Sequence, residues 1–228
     1  MTQRSIQAGL TPTVIIRAGA DVTVEGWESE RVSAENESRG GLKVGRRSET
    51  EFGRLRAVVG ERVLLDLRAD LPKRWRRGDP QAIEVQLNGS GGVRVPLGST
   101  VKVYAGRKLE LSGVGGRISL YTGGDARLRG AGKLAQASCG GALDVECRSL
   151  EGSDIKLEAG RDLRCHIQSL DDARVVVSDL GGSWEGRIGD GRITLRLKAG
   201  GDVTLVTDQE VAPQGPDFII GRIEKPKA

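Results

Sequence analysis

From Val101 to Leu205 the chain repeats one pattern of apolar and polar positions. An aliphatic–any–aliphatic triplet leads to a small residue and Gly, then to a small or basic residue and usually Asp or Lys, then to a second alternating stretch. The copies read VKVYAGRKLEL from Val101, ISLYTGGDARL from Ile118, AQASCGGALDV from Ala135, IKLEAGRDLRC from Ile155 and LRLKAGGDVTL from Leu195. A looser copy, VVVSDLGGSWE, starts at Val175 with one extra residue in its turn, and an isolated copy, VIIRAGADVTV, starts at Val14. Successive starts from Val101 lie 17, 17, 20, 20 and 20 residues apart. Alternation is the period of a strand with one buried face. The Gly between the halves suits a tight turn with positive φ. Each copy therefore predicts two short strands. A unit this small cannot bury its own apolar face, whereas stacked units share a continuous core.

Stacking in register has consequences that the residues can meet or fail. Equivalent positions would form columns about 4.8 Å apart. One pair of buried columns would run Val101, Ile118, Ala135, Ile155, Val175, Leu195 and Val103, Leu120, Ala137, Leu157, Val177, Leu197. A second pair would run Leu109, Ala126, Leu143, Leu163, Trp184, Val203 and Leu111, Leu128, Val145, Cys165, Gly186, Leu205. None of these residues is charged. The solvent-facing column Glu110, Arg127, Asp144, Arg164, Glu185, Thr204 alternates in sign over its charged members, as neighbouring strands favour. The pattern predicts an all-β, single-domain β-solenoid of two-strand rungs, flattened between two sheets. A two-sheet sandwich reached by a plain meander has the same periodicity.

Residues 13–208 form the expected solenoid, with irregular rungs over 13–92 and regular 17–20-residue rungs over 93–208. In the irregular part, Thr13 to Arg17, Asp21 to Gly26, Arg31 to Ala34, Arg54 to Val59, Arg62 to Arg68 and Ala82 to Leu87 alternate as strands do. Residues 1–12 read as an N-terminal extension and 209–228 as a tail or capping strand. Irregular end units cover edges that would otherwise invite pairing.

Composition agrees with this architecture. The 228 residues include 34 Gly but only three Trp, two Tyr and two Phe, so small aliphatics fill a thin core between many turns. Gly-Gly pairs start at 40, 91, 115, 123, 140, 181 and 200. A net charge of +4 is mild and predicts no specific nucleic-acid binding. No apolar run reaches the ~18 residues of a membrane span. The N-terminus has no apolar core of a secretory signal, so a cytoplasmic location is expected.

Little of the sequence carries chemistry. Cys139, Cys147 and Cys165 lack metal-type spacing and read as reduced, half-buried thiols. His166, the single histidine, falls in a solvent-facing column beside Glu146, with no nucleophile indicated nearby. The turn column Lys108, Asp125, Ala142, Asp162, Ser183, Asp202 interleaves acids with other residues, unlike a calcium-binding β-roll. No Gly-rich turn matches a P-loop or leads into a predicted helix. Tyr104 and Tyr121, one unit apart, could stack, a thin platform for a sugar. No cofactor, metal or catalytic residue is predicted.

Two segments stand out as contact sites. Lys73, Arg74, Trp75, Arg76 and Arg77 set four cations around an aromatic ring, chemistry suited to an anionic membrane surface. Serine at the four cationic positions should weaken sedimentation with anionic liposomes. Phe218, Ile219 and Ile220 lie in an apolar stretch of the tail, a strand that covers the last rung or pairs with another molecule.

The segment AGADVTVEGW, Ala18 to Trp27, and turn copies such as AGGDVTL, Ala199 to Leu205, resemble the bacterial putative-adhesin or toastrack family, formerly a domain of unknown function. The resemblance would cover most of residues 13–208. It implies a β-solenoid of paired strands, an association with envelope-stress systems, and no catalytic residues. The expected function is that of a non-enzymatic scaffold or interaction module, with a protein partner or self-association through the solenoid ends. The alternatives are a bactofilin-like filament and, in another class, a glycan-binding or glycan-cleaving β-helix.

Overall fold

The computed structural model describes residues 2–37, 41–46, 56–59, 62–66, 82–150, 154–168, 173–179, 182–187 and 193–207. These are all-β, with no helix among them, and eighteen strands belong to one hydrogen-bonded system. A separate antiparallel pair is formed by β6 (Arg56–Val59) and β7 (Arg62–Asp66).

Each regular copy gives two strands that pair with other copies rather than with each other. The first halves are β2 (Thr13–Ala18), β8 (Ile83–Leu87), β10 (Thr100–Ala105), β12 (Arg117–Thr122), β15 (Asp154–Ala159), β17 (Ala173–Asp179) and β19 (Ile193–Ala199). The second halves are β3 (Val22–Trp27), β9 (Gly91–Pro96), β11 (Leu109–Ser112), β14 (Leu143–Leu150), β16 (Leu163–Ile167) and β20 (Val203–Thr207). The long strand β13 (Ala126–Cys139) serves both sets, bending near Gly130, whose φ is 58°.

A first parallel ladder runs β8–β2–β10–β12–β13–β15–β19–β17. A second runs β9–β3–β11–β13–β14–β16–β20. The expected columns appear with their apolar members buried, among them Val101, Ile118, Ile155 and Leu195, then Leu109, Leu143 and Leu163. A bulge places Leu134 rather than Ala135 opposite Ile118, and Leu120 faces Ala137 beyond it.

Two departures from chain order matter. The isolated copy at Val14 lies between remote segments, with Val14 pairing to Ile83 on one side and Val101 on the other. At the far end, Ile155 pairs with Leu195, and Val175 lies beyond Leu195. The expected order 155, 175, 195 is thus corrected to 155, 195, 175. The second half of the looser copy, β18 (Gly182–Arg187), folds back antiparallel on β17, so Trp184 faces Val177 and does not join Leu163 and Val203. Likewise Arg164 neighbours Thr204 directly, and Glu185 neighbours Val176.

The turn glycines of the regular copies share one structural role. Gly19, Gly106, Gly123, Gly140, Gly160 and Gly200 occupy one position in successive layers, and each donates its N–H to the layer before it, as Gly160 does to Cys139 O at 3.0 Å. Positive φ, the expected reason for glycine, is absent here: among the described residues it occurs at Gly9, Gly41, Gly113 and Gly130. The requirement is space. A Cβ on Gly106, Gly123, Gly140, Gly160 or Gly200 would run into the carbonyl oxygen of the preceding layer's glycine. The equivalent residue of the looser copy is Leu180. It lies outside the described residues, on either side of which β17 and β18 pair antiparallel. At the opposite end the position is Asn88, whose N–H donates to the Gly41 carbonyl at 3.2 Å, so that the segment before β5 lies against it.

That first layer is closed by antiparallel strands. β4 (Arg31–Asn36) pairs with β9, β5 (Leu42–Arg46) with β8, and β1 (Thr2–Gln7), within the segment read as an extension, with β4.

Candidate interaction surfaces

The residues singled out in the sequence, Lys73, Arg74, Trp75, Arg76, Arg77, Phe218, Ile219 and Ile220, lie outside the described residues. The described surface includes two ladder faces, a row of turns and a pair of neighbouring concavities.

On the first ladder, alternation points Arg17, Tyr104, Tyr121 and Ser138 to one side in a single row. The tyrosine rings stack with centroids 5.2 Å apart and planes 8° apart. The Arg17 guanidinium covers the other face of Tyr104 at 4.7 Å from its centroid. Tyr121 donates its hydroxyl to Gln136 Oε1 at 2.9 Å, and burial pushes its phenol pKa up. Both faces of Tyr104 are therefore occupied, whereas a sugar platform needs a free ring face.

On the second ladder, Glu110, Arg127, Asp144 and Arg164 form the expected row. Arg127 reaches Asp144 at 3.2 Å, and Arg129 bridges Asp144 at 3.4 Å and Glu146 at 3.0 Å. Lys108 bonds Glu110 at 2.7 Å, which holds the Glu110 carboxyl below its usual range and raises the lysine. His166 neighbours Glu146 in the strand register. These pairs are exposed, so their value lies in fixing a pattern of charge more than in stability.

The turn aspartates are backbone acceptors. Asp21 accepts from the Lys108 N–H, Asp125 from Ala142 and Asp162 from Asp202, each the equivalent position one layer on. Asp125 also takes Arg161 at 2.6 Å. The Ala142 N–H, then Arg161, hold its carboxyl below the usual range. The second glycine of the pair makes room for this bond: a Cβ on Gly141 or Gly201 would strike the carboxylate of Asp125 or Asp162. The carboxylates are thus spent within the ladder, and no metal-type cluster occurs among the described residues.

Cys139, Cys147 and Cys165 are free thiols and fully buried rather than half-buried. Burial pushes Cys147 up to about 12 and raises Cys165 well above the usual thiol value, so neither presents a thiolate.

The two concavities flank β3 and β9. A polar cleft of about 320 Å³ is lined by Glu25, Glu35, Glu37, Arg94 and neighbours, with Gly91 and Gly92 leaving its floor without side chains. Arg94 bonds Glu25 at 3.1 Å and lies 5.9 Å from the centre of the Trp27 ring. An apolar notch of about 450 Å³ is formed by Leu10, Trp27, Pro96 and Leu97 with Glu28 and Glu30 on its lining. Leu10 and Leu97, 67% and 41% exposed, are the large apolar side chains left in solvent among the described residues, and both lie here. Sequence reading missed the notch, because its parts come from segments near 10, 27 and 96 that meet through the inserted position of β2 and β3. No helix of the described residues is long and apolar enough to cross a membrane.

No protein-family model matches the chain, and no curated protein matches it. Among solved structures it is similar to a putative cell adhesion protein from Clostridium sporogenes, with 8% identity, a TM-score of 0.34, and coverage of 90% of this chain and 99% of that one.

Proposed function

We propose that the two ladders are the walls of a β-solenoid of two-strand rungs, and that the chain works as a non-catalytic interaction module. The observation that carries this reading is the layer-by-layer register of both ladders, which holds rows of charged and aromatic side chains at fixed spacing on solvent-facing strands. Such a surface is pre-organised for a partner, because little conformational freedom is left to lose on binding. The antiparallel cover of β4 and β5 over the first layer supports a discrete particle rather than a polymer built by adding parallel layers at that end.

Charge reversal tests the reading. With Arg127, Arg129 and Arg164 changed to Glu, we expect loss of a specific partner captured from native-host extract, with the thermal unfolding midpoint little changed. Undiminished capture by this variant, or turnover of a glycan by the unaltered chain, would contradict it.

A further inference from the structure

We propose that the apolar notch at Leu10, Trp27, Pro96 and Leu97 receives this chain's own C-terminal segment, anchored by Phe218, Ile219 and Ile220. Chemistry is the first argument. The notch gathers both exposed leucines beside a tryptophan, and its lining holds the carboxylates of Glu28 and Glu30 with no cation. The segment from 216 onward reads PDFIIGRIEKPKA, an apolar triplet followed by Arg222, Lys225 and Lys227. An apolar anchor with trailing cations is the complement of an apolar hollow rimmed by acids.

Geometry is the second argument. Val22, Leu109, Ala126, Leu143, Leu163 and Val203 share one row of the second ladder, and all its strands run the same way. Trp27 at the end of β3 and Thr207 at the end of β20 therefore leave the ladder on the same long edge. β20 is separated from β3 and β9 by five and six strand steps, or ~24–29 Å at ~4.8 Å per step. The ten residues 208–217 that precede Phe218 span at most ~33–36 Å when extended. The anchor can therefore reach the notch of its own chain, with little slack.

The test uses the full chain with engineered cysteine pairs, since the native thiols are buried. Ser29 lines the notch, and Ser112 is exposed on the same edge but nearer the root of the tail. One variant carries Ser29→Cys with Asp217→Cys, its companion Ser112→Cys with Asp217→Cys, and both keep the apolar anchor. Cooperative thermal unfolding checks that each is folded. Under mild oxidation we expect the Ser29 pair to close within one chain at least ~10-fold faster than its companion, because docking raises the local concentration. Leu97→Asp, or Glu28→Lys with Glu30→Lys, should lower its rate to the companion's. Equal rates, faster closure at Ser112, indifference to Leu97→Asp, or cross-links only between chains would overturn the proposal. The readout is independent of whether the solenoid body binds a partner.

Discussion

Gly106, Gly123, Gly140, Gly160 and Gly200 each lie against the carbonyl of the layer before, so their value is the volume of a missing methyl group. Gly160→Ala should therefore cost about 1–3 kcal/mol by forcing two layers apart. In Gly92→Ala the nearest atoms to the new Cβ belong to the Glu35 side chain, its carboxylate at 3.1 Å, which can swing aside, so a change within about 0.5 kcal/mol is expected. Urea unfolding of the two variants measures the contrast, and equal losses would refute the space argument. Asp125 carries a pH signature. Its carboxyl is lowered in the folded state, so the stabilisation is present above the ordinary value of 3.8 and is lost as pH falls through the lowered one. Asp125→Ala should unfold more readily than the natural chain at pH 7, and the two urea midpoints should converge as pH is taken well below 4. A gap that persists at the lowest pH would contradict the role given to this carboxylate. The rows of apolar and charged residues were legible from alternation alone, because side-chain period and strand register are one constraint. The reason for the glycines was not, because sequence shows that a residue is small but not whether conformation or a neighbouring backbone demands it.

At the scale of strands, three-residue connections such as Gly106–Lys108 pass the chain from one ladder to the other, whereas β17 and β18 pair antiparallel with each other. The extra residue at Val175's copy was visible in the sequence, but its consequence, a hairpin outside β19, depends on which strand the next copy selects. Nearly interchangeable repeats leave that choice open in the pattern itself, so periodicity predicts strands better than their order. A cysteine pair reads the order directly. Lys156 and Arg196 are neighbours in the first ladder, and Val176 lies one strand farther on. Lys156→Cys with Arg196→Cys should oxidise to a disulfide, whereas Lys156→Cys with Val176→Cys, about two strand spacings apart, should not. The reverse result would restore stacking in chain order.

Over the whole molecule, insertion of β2 and β3 between remote layers ties the N-terminal segment into both ladders, and β4 and β5 close the layer beyond. The same insertion assembles the notch from segments that no local pattern connects, which is why the all-β class was readable while this surface was not. On the proposed reading, a body covered in this way would display its sides rather than grow from that end. Static light scattering over about a hundredfold range of concentration, with negative-stain images of the same samples, tests this most directly. A discrete module predicts compact particles whose mass stays constant as concentration rises, whereas mass that climbs with concentration and fibres in the images would contradict it.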